Sequence, residues 1–300
     1  MAGRVVVVGG GLAGAKTVEA LRDGGHDDGI VLLEVGTELP YERPPLSKGY
    51  LQGADERSSV FVHDAAWYDE HDVDVRLGVH ATALDLPGRD VLDASGERHG
   101  YDHVVLATGS APRRLDVPGA DLYGVHYLRT LDDSDRLRAA LAAGPRVVVV
   151  GGGWIGLEVT AAARAAGCEV SVVVRDRAPL LGVLGDRLAE LFADLHRSNG
   201  VDLRTSADVA RLVAAGDGAH VGGVELTDGT LLPADLVVVG IGAAPRVGIA
   251  QDAGLAVDGG VLVDAHLRTS GPRVLAVGDI ARAAHPFYGT HVRVEHWATA

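Results

Sequence analysis

A chain of 300 residues with a single cysteine, Cys168, can build no internal disulfide framework and no chemistry that needs two thiols in one polypeptide. That usage fits a reducing cytoplasm, which is the expected location. Lysine is nearly as scarce, occurring only at Lys16 and Lys48 while the other basic residues are arginine. Basic charge as a whole is in deficit, because 27 Lys and Arg face 41 Asp and Glu for a formal net charge of −14. Such an acidic balance argues against a nucleic-acid partner. No apolar run reaches the ~18 residues of a membrane span, since Glu158, Arg164 and Glu169 interrupt the most hydrophobic region, so no membrane association is expected. Residues 1–10 lead directly into a valine strand and lack the long apolar stretch and cleavage site of a secretory signal. No metal-ligand spacing appears, and His63, His71, His126 and His196 read as surface or core residues.

What is present is an apolar fraction of 47 % and 41 glycines, ample for a packed core with many tight turns. At ~100–200 residues per domain, the length predicts two domains. The opening Arg4-Val-Val-Val-Val-Gly-Gly-Gly-Leu-Ala-Gly14 reads as strand and glycine turn, followed by a helix over residues 15–22 and the strand Ile30-Val-Leu-Leu-Glu34. The same order returns at Arg146-Val-Val-Val-Val-Gly-Gly-Gly-Trp-Ile-Gly156, with a helix over 157–166 and a strand over 169–174. Turn signals at Ser95-Gly96 and Asp228-Gly229 predict a small β-meander in each half. The halves close alike, on Val104-Val-Leu-Ala-Thr-Gly-Ser-Ala-Pro-Arg113 and Val238-Val-Gly-Ile-Gly-Ala-Ala-Pro-Arg246. The fold class is therefore α/β, with two duplicated three-layer Rossmann-like nucleotide-binding domains. A last segment, 271–297, resembles neither unit; it holds a strand over 273–277, Gly278-Asp279 and a turn into an expected helix, and is expected to return to the first domain. The expected boundaries are 1–113 and 245–300 for the first domain and 114–244 for the second.

Gly9-x-Gly11-x-x-Gly14 between strand and helix is a dinucleotide fingerprint. Its glycines allow the tight turn, the approach of a pyrophosphate to the backbone, and close helix–strand packing. The phosphates then sit on the positive helix end. Glu34, 20 residues after Gly14, is placed to accept hydrogen bonds from an adenosine ribose. Gly151-x-Gly153-x-x-Gly156 is the second copy. Two such sites in one chain point to an electron path from a nicotinamide to a flavin. Lys48, between a proline pair and the next helix, is a compact charge expected near the flavin ring, where it can stabilise developing negative charge. Glu158, on the first turn of the second helix, is expected to face the flavin and to pair with Lys48. Cys168 reads as a buried small apolar group.

The run Pro40-Tyr-Glu-Arg-Pro-Pro-Leu-Ser-Lys-Gly-Tyr-Leu51, with Ala107-Thr-Gly-Ser110, Ala276-Val-Gly-Asp279 and Val294-Glu-His-Trp297, resembles the FAD-dependent NAD(P)H:ferredoxin reductases. This is the putidaredoxin reductase-like group of the pyridine nucleotide-disulfide oxidoreductase superfamily, without the redox disulfide. The resemblance implies an enzyme that takes hydride from NAD(P)H onto flavin N5 and passes single electrons to a 2Fe-2S ferredoxin feeding an oxygenase. It implies FAD contacts from Gly9, Gly11, Leu12, Ala13, Gly14, Glu34, Arg43, Lys48, Ala81, Ala107, Thr108, Gly109, Arg114, Gly278, Asp279, Glu295, His296 and Trp297. The nicotinamide nucleotide falls to Gly151, Gly153, Trp154, Ile155, Gly156, Glu158, Arg175, Arg177, Gly240 and Gly242, with Lys48 and Glu158 as the catalytic pair. Rubredoxin reductase, a reductase subunit of a larger complex, and a redox-responsive nucleotide-binding protein resembling apoptosis-inducing factor are the alternatives. A long-lived charge-transfer complex in air without efficient acceptor reduction would mark the last.

The sequence departs from this group in three places. The strand after the second glycine turn ends in Val174 where relatives carry an acid for the NAD ribose, and Arg175-Asp-Arg177 follows. Loss of the acid and gain of arginines favours a 2′-phosphate, so NADPH is the expected nucleotide. NADH is the alternative, because Gly156 is the small residue more usual with NAD and Asp176 could take the acidic role if the strand ran two residues further. Arg246 stands where relatives often carry asparagine. Finally, relatives continue for roughly 100 residues, one further small domain, so a truncated form without its C-terminal interface domain is expected, ending inside a helix.

Overall fold

The structure, a computed structural model, describes residues 3–296. Trp297 and the helix expected at the C-terminal end lie outside the described residues. The chain divides into two compact units, one of Met1–Glu42, Val60–Ala111 and Ala244–Ala300, the other of Arg43–Ser59 and Pro112–Ala243. Among the described residues no helix is long and apolar enough to cross a membrane.

The first stretch runs β1 (Val5–Val8), α1 (Leu12–Asp23), β2 (Ile30–Glu34), the short α2 (Gly49–Gln52), α3 (Ala65–Glu70) and β3 (Val73–Leu77). An antiparallel meander follows, β4 (Ala81–Asp85), β5 (Asp90–Asp93) and β6 (Arg98–Gly100), and then β7 (His103–Leu106). The valines of β1 alternate between two cores. Val5 and Val7 pack with Val18, Ile30 and Tyr68 on the helical face, while Val6 and Val8 pack with Leu84 and Val91 of the meander. A parallel strand covered on both faces has no position for a polar residue, which is why this run shows no alternation.

The second stretch runs β8 (Ser110–Pro112), β9 (Val125–His126), α4 (Leu131–Leu141), β10 (Arg146–Val150), α5 (Trp154–Ala165) and β11 (Glu169–Val174). It continues through α6 (Leu181–Ser198), β12 (Asp202–Thr205), the meander β13 (Val209–Ala214), β14 (Val221–Leu226) and β15 (Leu231–Pro233), then β16 (Leu236–Val239) and β17 (Ala243–Pro245). Its parallel sheet has the order β12-β11-β10-β16-β9. Val148 and Val150 meet Val224 and Leu232 of the meander, repeating the layering of the first unit. Helix α4 begins on a capping box, in which Thr130 Oγ1 accepts from Asp133 N–H at 3.1 Å and Asp133 Oδ2 accepts from Thr130 N–H at 2.9 Å.

The last stretch holds α7 (Gly248–Asp252), β18 (Val261–Val263), β19 (Val274–Ala276), β20 (Ala281–His285) and β21 (Thr290–Val292). Strand β19 lies parallel beside β7 and completes the first sheet in the order β19-β7-β1-β2-β3. The helix expected after Gly278-Asp279 is not formed. A single 3-10 turn, Gly278–Ile280, leads instead into the β20–β21 hairpin, and β20 also pairs in parallel with β18. Ala281-Arg-Ala-Ala favours helix by intrinsic propensity, but burial of Ile280 and Ala281 in the first unit's core and the pairing with β18 override it.

Candidate functional site

The first glycine turn is shaped by contacts that exclude any side chain. Gly9 has φ +112°, and a Cβ there would lie 2.3 Å from Ala107 O; a Cβ on Gly14 would lie 2.0 Å from Gly9 O. Gly11 caps α1 with no side-chain hydrogen bond, so the first-turn N–H groups of this helix are left for an external acceptor. Glu34 ends β2 beside the turn, its carboxylate accepting from Gly10 N–H on one oxygen and from Gly36 N–H at 2.7 Å on the other. Each carboxylate oxygen keeps a lone pair for a further donor. These features fit the pyrophosphate and ribose of a dinucleotide.

Gly278, at φ +68°, packs against the start of α1, where a Cβ would come within 2.7 Å of Ala13 Cβ. This contact sets Asp279 next to the turn, and Ser110 Oγ donates to its carboxylate at 2.9 Å. Arg293 Nη1 donates to Asp279 O at 3.1 Å and pairs with Glu295, which ties two of the expected FAD residues together. Thr108 Oγ1 donates to Arg246 O at 2.7 Å and Arg246 N–H to Gly109 O at 2.9 Å, so Arg246 acts through its backbone on the Ala107-Thr108-Gly109 closure. Ala81 opens β4. His296 is exposed and lies at the end of the described residues.

In the second unit Gly151 has φ +115° and a Cβ would lie 2.3 Å from Gly240 O, while one on Gly156 would lie 2.4 Å from Gly151 O. Gly153 caps α5, again without a side-chain bond. Strand β11 ends at Val174, which is buried against Gly152; Asp176 lies beyond the strand and is exposed. The longer strand that would have let Asp176 replace the missing acid is therefore not formed. Arg175 pairs with Asp208 at 3.2 Å and is 79 % exposed, and Arg177 pairs with Asp186. Gly242 O accepts from Arg113 N–H at 2.9 Å. Arg114 lies over the Tyr127 ring at 4.1 Å, whose hydroxyl accepts from Leu115 N–H. Trp154 is half exposed and meets Phe192 edge-on at 5.9 Å.

The Pro-Pro-Leu-Ser-Lys run belongs to this second unit, fastened to two helices. Ser134 Oγ on α4 donates to Leu46 O at 2.8 Å, and Asp135 accepts from Tyr50 Oη at 2.6 Å and Arg57 Nη1 at 2.7 Å. Burial and the Asp135 carboxylate push the Tyr50 phenol above its ordinary value. On α5, Glu158 Oε2 receives both Lys48 Nζ at 2.9 Å and Ser47 Oγ at 2.5 Å. The expected Lys48–Glu158 pair is thus present, and Ser47, which the sequence reading passed over, is its third member. Its signal was a hydroxyl adjacent to the one lysine of the motif. Arg43, Leu46, Ser47, Leu128, Arg129 and Ile155 line a small cavity of about 30 Å³ beside this cluster.

Cys168 is fully buried, its thiol pushed up by burial, and acts as a packing residue. Asp93, Glu97 and His99 bring three possible ligand atoms within 4.8 Å of one another, a grouping not visible in their spacing. Arg76 Nη1 occupies that corner, 2.8 Å from Glu97 Oε1 and 3.3 Å from His99 Nδ1, so a fixed cation already answers these groups.

A model of the pyridine nucleotide-disulphide oxidoreductase family matches residues 3–300. The chain is 40 % identical over 283 residues to a ferredoxin--NAD(P)(+) reductase of Sphingomonas sp, covering 94 % of this chain and 68 % of that protein. It is 38 % identical over 293 residues to rhodocoxin reductase of Rhodococcus erythropolis, covering 97 % and 68 %. The crystal structure of the covalent putidaredoxin reductase–putidaredoxin complex superposes with a TM-score of 0.97 at 38 % identity, over 99 % of this chain and 72 % of that one. The family name refers to a disulphide that a chain with one cysteine cannot form. The chain belongs to the pyridine nucleotide-disulphide oxidoreductase family, in its putidaredoxin and ferredoxin reductase-like part, and is an oxidoreductase of the FAD-dependent class.

Proposed function

We propose that this protein is the reductase of an electron-transfer system, taking reducing equivalents from NADPH and delivering single electrons to a 2Fe-2S ferredoxin that feeds an oxygenase. When bound, FAD supplies the capacity to accept a hydride and release electrons singly. The first glycine turn and the free N–H groups of α1 hold the FAD pyrophosphate, Glu34 takes a ribose hydroxyl, and Asp279 takes a hydroxyl of the ribityl chain. The second turn holds the nicotinamide nucleotide. Lys48 supplies positive charge near the reacting atoms and Glu158 a carboxylate acceptor, while Arg175 and Arg177 answer a 2′-phosphate. Geometry is most of the catalytic task, because the residues named bind and orient and none acts as a nucleophile.

The observation that carries this reading is the pairing of two dinucleotide turns of the same backbone, one flanked by Glu34 and the other by Val174, in a chain with one buried thiol. Names of relatives agree with it, since each of those compared is a reductase of a small electron carrier. The test is anaerobic stopped-flow mixing of the FAD-loaded protein with NADPH and NADH in parallel, followed by addition of oxidised 2Fe-2S ferredoxin. Rapid bleaching of the flavin, faster with NADPH, and re-oxidation by ferredoxin are expected. Equal or better use of NADH would reverse the nucleotide assignment, and absence of reduction by both would overturn the reductase reading.

A further inference from the structure

Two donors converge on one oxygen of Glu158, and they differ in how firmly they are held. Ser47 is 5 % exposed and sits at the end of the Pro44–Ser47 turn, whose Leu46 carbonyl is bonded by the fully buried Ser134 of α4. Its hydroxyl lies on a side chain with one rotatable bond, 2.5 Å from Glu158 Oε2 and 3.4 Å from Pro44 O. Lys48 reaches the same oxygen at 2.9 Å, and like Ser47 lies 3.4 Å from Pro44 O, but from a side chain that is 53 % exposed. A solvated lysine must surrender the entropy of four methylenes to hold one geometry, and an exposed ion pair returns little for it. A buried hydroxyl on a fixed turn surrenders almost nothing, and its bond to a charged acceptor is among the stronger kinds. Glu158 Oε1 has no hydrogen-bond partner among the described residues, so the orientation of the carboxylate rests on what binds Oε2.

We propose that Ser47, rather than Lys48, is the positioning residue of the nucleotide site, fixing the Glu158 carboxylate on α5 through its hydroxyl. The proposal rests on the reading that Glu158 faces the nicotinamide nucleotide. Lys48 is then free to move within the pair while Glu158 stays in place. Ser47 touches neither nucleotide nor flavin in this account and acts only through Glu158.

A double-mutant cycle with Ser47→Ala and Glu158→Ala tests it in the FAD-loaded protein, read as the Kd for NADP⁺ by calorimetry and as half-saturation against limiting rate in flavin reduction. Ser47→Ala alone is expected to weaken NADP⁺ binding about tenfold, the usual worth of a hydrogen bond to a charged group. In the Glu158→Ala background the same change is expected to cost less than about twofold, because nothing is left to position. Ser47→Thr, which keeps the hydroxyl, is expected to bind as wild type does, and Lys48→Met is expected to weaken binding less than Ser47→Ala. Equal losses from Ser47→Ala in both backgrounds would overturn the proposal, since that is the mark of a merely structural serine, as would a larger loss from Lys48→Met. Read in thermal melting, the cycle needs no nucleotide, and a non-additive shift of about 2–4 °C is expected. If wild type binds NADP⁺ and is not reduced by NADPH, the proposed function fails while the coupling of Ser47 to Glu158 is still measured.

Discussion

In the first sheet Val5 pairs with Ile30 and Val8 with Leu33; in the second Val147 pairs with Val170 and Val150 with Val173. Glu34 and Val174 are therefore the same position relative to their glycine turns. The backbone agrees around them, with Gly9 N–H bonded to Leu33 O at 2.8 Å and Gly151 N–H to Val173 O at 2.9 Å. The side chains then give the two turns different chemistry. Glu34 binds the Gly10 N–H and presents a carboxylate to any ribose hydroxyl, whereas the two methyls of Val174 pack where a Cβ on Gly152 would be, 2.9 Å away. The two cradles thus share one backbone shape, suited to a common pyrophosphate, and differ in the one residue at the strand end, so under the proposed function that residue is where the attached group would be distinguished.

Filling the cradles is expected to have the largest effect and to tell the turns apart. Gly14→Val and Gly156→Val each force side-chain atoms against a carbonyl oxygen, at a cost of roughly 3 kcal/mol or more within their own unit. Gly14→Val is expected to purify without flavin, and Gly156→Val with flavin that NADPH no longer reduces. Flavin absorbance per chain and stopped-flow reduction read both; the opposite pattern would exchange the two nucleotides between the turns.

Making the second turn resemble the first is expected to come next. Val174→Glu places a carboxylate where a 2′-phosphate would lie, and like charges brought together cost several kcal/mol. kcat/KM for NADPH is expected to fall about 100-fold, a loss of ~2.7 kcal/mol, while NADH is retained. A parallel fall for both nucleotides would mean that the new carboxylate harms the turn itself. A smaller step in the same direction is Arg175→Ala. Its pairing with Asp208 is exposed and weak, so stability is expected to change by less than about 0.5 kcal/mol. KM for NADPH is expected to rise about tenfold, the loss of one charge-assisted contact, with KM for NADH unchanged.

These strand ends were legible in the sequence because the valine runs, the glycine spacing and the acid or its absence are local features. The strands Ile30–Glu34 and Glu169–Val174 have the bounds their composition predicts, and both meanders turn at the expected Ser95-Gly96 and Asp228-Gly229. Contacts distant in sequence were legible only in part, the Lys48–Glu158 pair among them. The helix expected after Gly278-Asp279 gives way to a strand because β18 pairs with it, and nothing local to residues 43–48 announces that Ser134 will hold that run to α4 or that Ser47 will join Lys48 on Glu158. The same limit hid Ser47, whose partner lies 111 residues away.

The smallest expected effect lies at the opposite end of the two first strands. Arg4 N–H donates to Asp102 Oδ2 at 2.9 Å and Arg146 N–H to Asp235 Oδ2 at 2.9 Å, again the same position in both units. Only in the second does the guanidinium join, with Arg146 Nε at 2.8 Å and Nη2 at 2.6 Å from the carboxylate. That guanidinium, with the Arg146 N–H, holds the Asp235 carboxyl down from 3.8 to about 2. A carboxyl lowered in the folded state stabilises above its unfolded value, and this contribution is lost as pH falls from about 4 towards about 2. The pair is half exposed on both sides, so screening by solvent limits its worth to about 0.5–1 kcal/mol. Asp235→Asn is expected to lower the melting midpoint slightly at pH 7 and to narrow that gap progressively as pH falls from about 4 towards about 2, whereas Asp102→Asn, lacking the guanidinium, is expected to open a smaller gap. A gap for Asp235→Asn that stayed constant from pH 7 to pH 2.5 would assign the loss to packing or to the backbone bond, and the two first strands would then be held at this end by the same interaction.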